Sequence, residues 1–251
     1  MNKNNCICLI CYKPNGISID FLSKFTNYDI YIIIDDNTIE YKNKYTEYVN
    51  INIIQIKNED CKINGFSDVG FFEENLKITG WDKAVYYFST INTIYKNIWL
   101  LEEDVFLYNE KTLTDIDFKY KDSDLLSSIW RKPYISDERD MWEHWPKIDI
   151  KFPPPYYSAM ICAIRVTQTL LNKIKDYATE YKVLFFSEAL FPTICKMHNL
   201  KYDTPTEFNN IVYKKAYKDT DIDENNLFHP VKDIAKHKYY RDILKTKLYI
   251  K

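Results

Sequence analysis

The stretch from Asn97 to Tyr108, Asn-Ile-Trp-Leu-Leu-Glu-Glu-Asp-Val-Phe-Leu-Tyr, limits what this chain can fold into more than any other. Ile98 to Leu101 is an apolar run without helical periodicity. Glu102, Glu103 and Asp104 follow it directly, and Val105 to Leu107 is apolar again. A short run bounded in this way reads as a strand buried on both faces. Adjacent carboxylates inside a core are costly unless something positive meets them. The favourable place for them is the end of the strand, where open parallel sheets bind their ligands. The stretch therefore predicts a rigid strand that carries hard oxygen ligands to the mouth of a sheet. Such ligands match Mg2+ or Mn2+ holding substrate phosphates. The plain alternative is a solvated acidic turn. A hairpin tip would normally carry Gly, Asn or Pro, however, and here the chain stays apolar.

The flanking sequence supplies the sheet. Cys6 to Tyr12 is an apolar run closed by Lys13-Pro14-Asn15-Gly16, a turn signal, and predicts a first strand. Ser18 to Tyr28 has Ile19, Leu22 and Phe25 at helical spacing, with Ser18 as N-cap candidate. Asp29 to Ile34 predicts a second buried strand. Strand, helix and strand over so short a span make a βαβ unit and imply a parallel sheet. Asn50 to Ile56 predicts a third strand, and Asn58 to Asn75 a polar loop. Trp81 to Ile94 places Trp81, Ala84, Val85, Phe88 and Ile91 on one helical face, with Thr79-Gly80 as the cap.

After the acidic stretch come a short helix at Lys111 to Ile116 and a strand at Asp124 to Trp130. Arg131 to Tyr156, dense in aromatics and without Gly, reads as a long functional loop. Tyr157 to Ile164 predicts a strand and Thr167 to Tyr181 a helix. A further helix starts at Ser187, its N-cap candidate, and runs to His198. Short strands and turns fill Lys201 to Tyr217. A basic helix follows Phe228-His229-Pro230-Val231-Lys232. The expected fold is a single α/β domain with a mainly parallel, mixed sheet flanked by helices.

Composition narrows the function classes. A chain of 251 residues holds one large domain or two small ones. A formal net charge of -2 gives no basic footprint for nucleic acid. The cysteines, Cys6, Cys8, Cys11, Cys61, Cys162 and Cys195, lie mostly in apolar runs and read as reduced core thiols. Cys6, Cys8 and Cys11 are close enough to raise a zinc site, but no second Cys or His pair with finger spacing follows. No apolar run approaches the roughly 20 residues of a membrane span, and the N-terminal run is too short for a signal peptide. The chain reads as soluble and cytoplasmic. Heavy use of Lys, Asn, Ile and Tyr points to an A+T-rich genome, such as that of a giant virus (the compartment then being the host cytoplasm) or a protist.

Several other residues are candidates for the site. Asp35 and Asp36 end the second strand of the βαβ unit, where an acid can accept from a ribose or a base; an ordinary polar turn is the alternative. No glycine-rich phosphate loop follows the first strand, so phosphates would need a cation instead. Lys83, in the first turn of its helix, is a candidate phosphate contact or a solvated lysine. Glu188 opens a helix behind Phe185 and Phe186; it is a candidate general base or a helix-dipole acid. His229 matters as a metal ligand only if it folds back on Asp104. Trp130, Trp142, Trp145 and Tyr156 offer platforms for sugar rings, or pack the long loop upon itself.

In this order of parts the chain resembles the GT-A fold glycosyltransferases, the nucleotide-diphospho-sugar transferases. Trp99-Leu-Leu-Glu-Glu-Asp-Val105 is similar to their strand-end acid motif. Gly80-Trp81-Asp82-Lys83-Ala84 lies one helix upstream, where such enzymes often carry a donor-contacting basic residue. The resemblance is specific at residues 80–84 and 99–105 and elsewhere covers layout. Glu103 stands where the motif has Asp, which leaves open which oxygens reach a metal.

The resemblance implies one GT-A-like domain, with residues 1–108 as the nucleotide-sugar-binding half and 109–251 as the acceptor-binding half. It implies a nucleotide diphosphate sugar as donor, a UDP-linked one first, with Mn2+ or Mg2+ as cofactor. The acceptor would be a hydroxyl on a glycan or glycoprotein. Tyr12, Asp35, Asp36, Lys83, Glu103 and Asp104 would bind the donor; Glu102, Asp104 and His229 the metal; Trp130, Trp142, Trp145 and Tyr156 the acceptor. Glu188 would be the base. The alternatives are a nucleotidyltransferase that makes an activated sugar, and a non-catalytic carbohydrate-binding protein of the same fold.

Overall fold

The structure is a computed structural model and describes residues 3–70, 78–130, 133–135 and 142–249. Four parallel strands form its first half: β1 (Asn5–Cys11), β2 (Asp29–Ile34), β3 (Ile51–Gln55) and β4 (Asn97–Glu102). β5 (Leu125–Trp130), β6 (Ala159–Thr167) and β7 (Tyr202–Asp203) extend the same sheet. The strand order is β3-β2-β1-β4-β6-β5-β7. β6 alone runs against its neighbours, so the sheet is mixed and mainly parallel. Helices cover both faces.

Alternation along the strands builds two cores. Cys6, Cys8 and Ile10 of β1 face one side, and Ile7, Leu9 and Cys11 the other. Cys11 thus points away from Cys6 and Cys8, and the three cannot share a metal. On the first face pack α3 (Gly80–Tyr86), α5 (Gln168–Tyr181) and α6 (Ser187–Met197), through Ala84, Val85, Leu170, Leu171, Leu190 and Ile194. On the second pack α1 (Gly16–Leu22) and α4 (Glu110–Lys119), through Leu22, Leu113 and Ile116. A third cluster joins Phe106, Tyr217, Phe228, Val231 and Tyr240, and seats the terminal helix α7 (Ile234–Tyr249). No described helix is long and apolar enough to cross a membrane.

Local chemistry departs from the sequence expectations at identifiable points. Asn15, not Ser18, caps α1: its side chain accepts from the Ser18 N–H at 2.8 Å. Phe186 occupies the N-cap position of α6, with Ser187 already inside the helix and buried. The expected polar loop after Lys57 contains a short helix, α2 (Asn58–Ile63), because buried Cys61 anchors it to the first core. The helix from Gly80 turns into a π-turn at Tyr87–Ile91. The wider turn breaks the 3.6-residue period, so Ile91 and Ile94 point outward instead of joining Phe88 in the core.

A polar hub sits against the second core. Arg165 of β6 is fully buried and donates to Asp117 at 3.1 Å and to the carbonyls of Tyr120 and Ser123 at 2.7 and 2.8 Å. Asp117 also accepts from Tyr28, Trp99 and Asn5. The hub ties α4 to β1, β4 and β6 and fixes the lateral position of the acidic strand. Breaking one side of a buried pair strands the other charge. Arg165→Met should therefore lower the unfolding free energy by about 3–5 kcal/mol in a urea titration. A loss under about 1 kcal/mol would assign the stability of this layer to its apolar contacts.

Candidate active site

The site forms where the strand order reverses. β1 leads to β2 on one side and has β4 on the other, so a crevice opens between the carboxyl ends of β1 and β4. A cavity of about 490 Å³ occupies it, lined by Ile10, Cys11 and Tyr12 of the first strand end and by Glu102, Glu103 and Asp104 of the fourth. Asp35, Gly80, Trp81, Lys232 and Ile234 complete the wall. Gly80 lets α3 lie this close: a Cβ there would stand 2.7 Å from the Ile10 side chain.

Each acid is held differently. Glu102 is the last residue of β4, and its Oε1 accepts from the Trp81 indole N–H at 2.8 Å. Glu103 accepts from the Tyr12 backbone N–H, yet burial and the charges of Asp104 and Glu102 push its carboxyl above the ordinary range. Asp104 is fixed through its backbone, because its carbonyl accepts from the Val231 N–H at 2.8 Å. That bond belongs to a short ladder in which Phe106 and Phe228 exchange both backbone hydrogen bonds, at 2.8 and 2.9 Å. β8 (Asn210–Ile211) supports β9 (Phe228–His229) from the other side. The ladder carries His229 across more than a hundred residues of sequence to the acidic turn.

His229 is buried, and its Nε2 lies 3.3 Å from Asp104 Oδ1 and 3.7 Å from Glu102 Oε2. Its Nδ1 is 2.8 Å from the Val212 carbonyl, which fixes Nδ1–H as the donor on that side and leaves Nε2 facing the acids. Burial alone would pull His229 down, but the hydrogen bond and charge of Asp104, with Val212 and Glu102, raise it above its usual value. Two donors at right angles about a cation at 2.1 Å stand about 3.0 Å apart, and in a tetrahedral shell about 3.4 Å. The two spacings from His229 are of the size a shared cation would set, and among the described residues the ligand atoms that all lie within 4.8 Å of one another are those of Glu102, Cys162 and His229, with Asp104 outside that set.

The remaining expected residues divide. Asp35 lines the cavity, and Tyr12, half exposed, forms its lip. Lys83 does not reach the ligand space. It is fully buried behind the wall, where its ammonium donates to the Asp35 carbonyl at 2.6 Å and to Oδ1 at 2.8 Å; it sets Asp35 in place. Asp36 also falls outside the cavity. It is buried, accepts from Thr38 and from the Tyr41 hydroxyl, and these bonds hold its carboxyl down at about 2. Its role here is to close a turn.

Glu188 lies half-buried in the first turn of α6, and its charge acts on Cys162 together with those of Glu102 and Asp104. It is not among the residues that line the cavity. Trp142 and Trp145 are turned inward, in edge contact with each other at 5.0 Å, and Trp142 stacks on Phe186 at 5.7 Å. Tyr156 stacks on Tyr134 at 5.6 Å. These rings pack the loop against the first core, and no open platform is formed by Trp142 or Trp145. Trp130 ends β5, and its side chain lies outside the described residues.

Three features escaped the sequence reading. Trp81 looked like a core residue of an amphipathic helix, but its N–H anchors Glu102. Cys162 read as a core thiol, but its sulfur lies with Glu102 and His229, the ligand atoms all within 4.8 Å of one another. Lys232 brings an ammonium to a wall that otherwise carries Asp35, Glu102, Glu103 and Asp104. The first had a signal in the sequence, a tryptophan near a helix start one element before the acids; the second had none.

No family model matches the chain, and no curated protein matches it in sequence. A solved structure of 4-diphosphocytidyl-2C-methyl-D-erythritol synthase from Anaerococcus prevotii is similar at a TM-score of 0.48 and 8% identity, over 97% of this chain and 96% of that one. The mannosyltransferase Ktr4p from S. cerevisiae is similar at 0.40 and 12% identity, over 76% of this chain and 65% of that one. At these scores neither likeness extends to activity.

Removing the indole donor frees one Glu102 oxygen from its anchor. Trp81→Phe is expected to weaken Mn2+ binding by about 10- to 100-fold in calorimetric titration. Unchanged affinity would mean that Glu102 does not serve as a ligand.

Proposed function

We propose that this chain moves a sugar from a nucleotide diphosphate sugar to a hydroxyl acceptor on a glycan or protein. The observation that carries this reading is the meeting of Glu102, Asp104 and His229 at the end of β4, beside a cavity at the reversal of strand order. A divalent cation there, Mn2+ or Mg2+, would neutralise charge on the leaving diphosphate. The donor's nucleoside, uridine first among them, would lie toward Tyr12 and Asp35, with Asp35 held by Lys83. Lys232 would meet the diphosphate from the opposite wall.

Residues 1–108 would form the donor half and 109–251 the acceptor half. Glu188 is the base in this scheme. It takes the proton of the acceptor hydroxyl while that oxygen bonds to the anomeric carbon. The bond from that carbon to the diphosphate oxygen breaks, and its electron pair leaves with the nucleoside diphosphate. Attack opposite to the leaving group inverts the configuration.

With a panel of nucleotide sugars, Mn2+ and hydroxyl acceptors, the chain is expected to release a nucleoside diphosphate. Asp104→Asn should lower turnover by about 10²- to 10³-fold, the scale of losing one electrostatic contact to developing charge. Transfer at the wild-type rate in that variant would contradict the mechanism. Release of pyrophosphate from a nucleoside triphosphate would instead identify a nucleotidyltransferase.

A further inference from the structure

We infer that Cys162 is a ligand at this cation site, and that its sulfur makes the site prefer Zn2+ over Mn2+ and Mg2+. The inference rests on the cation-assisted reading above. β6 runs antiparallel to β4 with Ala163 opposite Leu101. The next positions along the two strands are Cys162 and Glu102, so the register itself brings the thiol to the acidic turn. The Cys162 sulfur, a Glu102 carboxylate oxygen and a His229 ring nitrogen lie within 4.8 Å of one another. Asp104 Oδ1 is 3.3 Å from the same imidazole. Three donors from three distant parts of the chain thus converge: one oxygen, one nitrogen and one sulfur.

Donor chemistry decides which cation this set favours. Mg2+ takes oxygen ligands in a near-ideal octahedron and keeps several waters. Thiolate selects Zn2+ and other softer ions. Tetrahedral Zn2+ places its ligand atoms about 3.3–3.8 Å apart. The His229–Asp104 spacing of 3.3 Å matches that for a nitrogen–oxygen pair, and the His229–Glu102 spacing of 3.7 Å is a few tenths of an ångström wider. On binding, the Cys162 thiol gives its proton to solvent as the sulfur–metal bond forms, with no change of oxidation state. Glu102, Cys162 and His229 would hold Zn2+ and, since Mn2+ would use Glu102 and His229 as well, Zn2+ would compete with the activating cation for the site.

Co2+ titration of the full-length chain tests this by absorption, because a thiolate ligand gives an intense near-ultraviolet charge-transfer band. The wild type is expected to show the band, and Cys162→Ser and His229→Gln, each verified as folded by circular dichroism, to lack it. In Cys162→Ser the Zn2+ needed to displace Mn2+, followed by the Mn2+ resonance signal, should rise about 100-fold, while Mn2+ affinity changes by about threefold or less. Mn2+ binding without a charge-transfer band in the wild type overturns the role of Cys162 and leaves the cation site standing. Binding of neither Mn2+ nor Co2+ overturns both. A band that survives in Cys162→Ser assigns the thiolate to another cysteine, and an equal loss of Mn2+ and Zn2+ affinity in that variant makes Cys162 a support of the fold; either result overturns the preference.

Discussion

Repulsion among the carboxylates at the end of β4 is the constraint on which the rest of the structure depends. Glu102, Glu103 and Asp104 meet Asp35 across a single cavity; Asp35 is paired with the buried Lys83 ammonium behind the wall, and Lys232 is the lysine on the wall itself. Charges gathered in a half-enclosed space cost energy unless hydrogen bonds or a cation offset them. The protein supplies part of the offset: the Trp81 indole for Glu102, the Tyr12 N–H for Glu103, and the His229 imidazole for Asp104. Burial first, and then the charges of Asp104 and Glu102, still raise the Glu103 carboxyl. The proposed cation would supply the rest of the offset, with Glu102, Cys162 and His229 as the residues whose ligand atoms lie close together.

Holding that arrangement needs rigidity from both sides. Below it, the Arg165–Asp117 hub locks β4 to its neighbours. Above it, the ladder of Phe106 with Phe228, and of Asp104 with Val231, clamps the C-terminal segment onto the acidic turn. Arg241 of α7 seals this clamp. Its guanidinium lies 3.3 Å from the Phe21 ring centre and donates to the Leu107 carbonyl at 3.2 Å. The terminal helix thus belongs to the site's support, although none of the acids is on it.

Much of the fold was legible because buried strands announce themselves. The apolar runs of β1, β2 and β4 lie within a residue or two of their expected bounds, and the βαβ start fixed the parallel direction. The acidic turn was legible for the same reason, since polar residues that interrupt a buried run need a cause. Other features were set by contacts distant in sequence. His229 reaches Asp104 only through the β8–β9 ladder, Lys83 turned out to serve Asp35 from within the core, and Asp36 is consumed by its own turn. Trp142 and Trp145 show the same limit: an aromatic-rich loop reads alike whether its rings face a sugar or the core, and only packing decides.

The most direct measurement is the thermal midpoint of the chain with nucleoside diphosphates and their sugars, each with and without Mn2+. A ligand that binds only the folded state raises the midpoint in proportion to its affinity. The account predicts a rise for one nucleotide that requires Mn2+ and vanishes in Asp104→Asn. A rise that persists in Asp104→Asn without Mn2+, or no rise with any nucleotide, would contradict it.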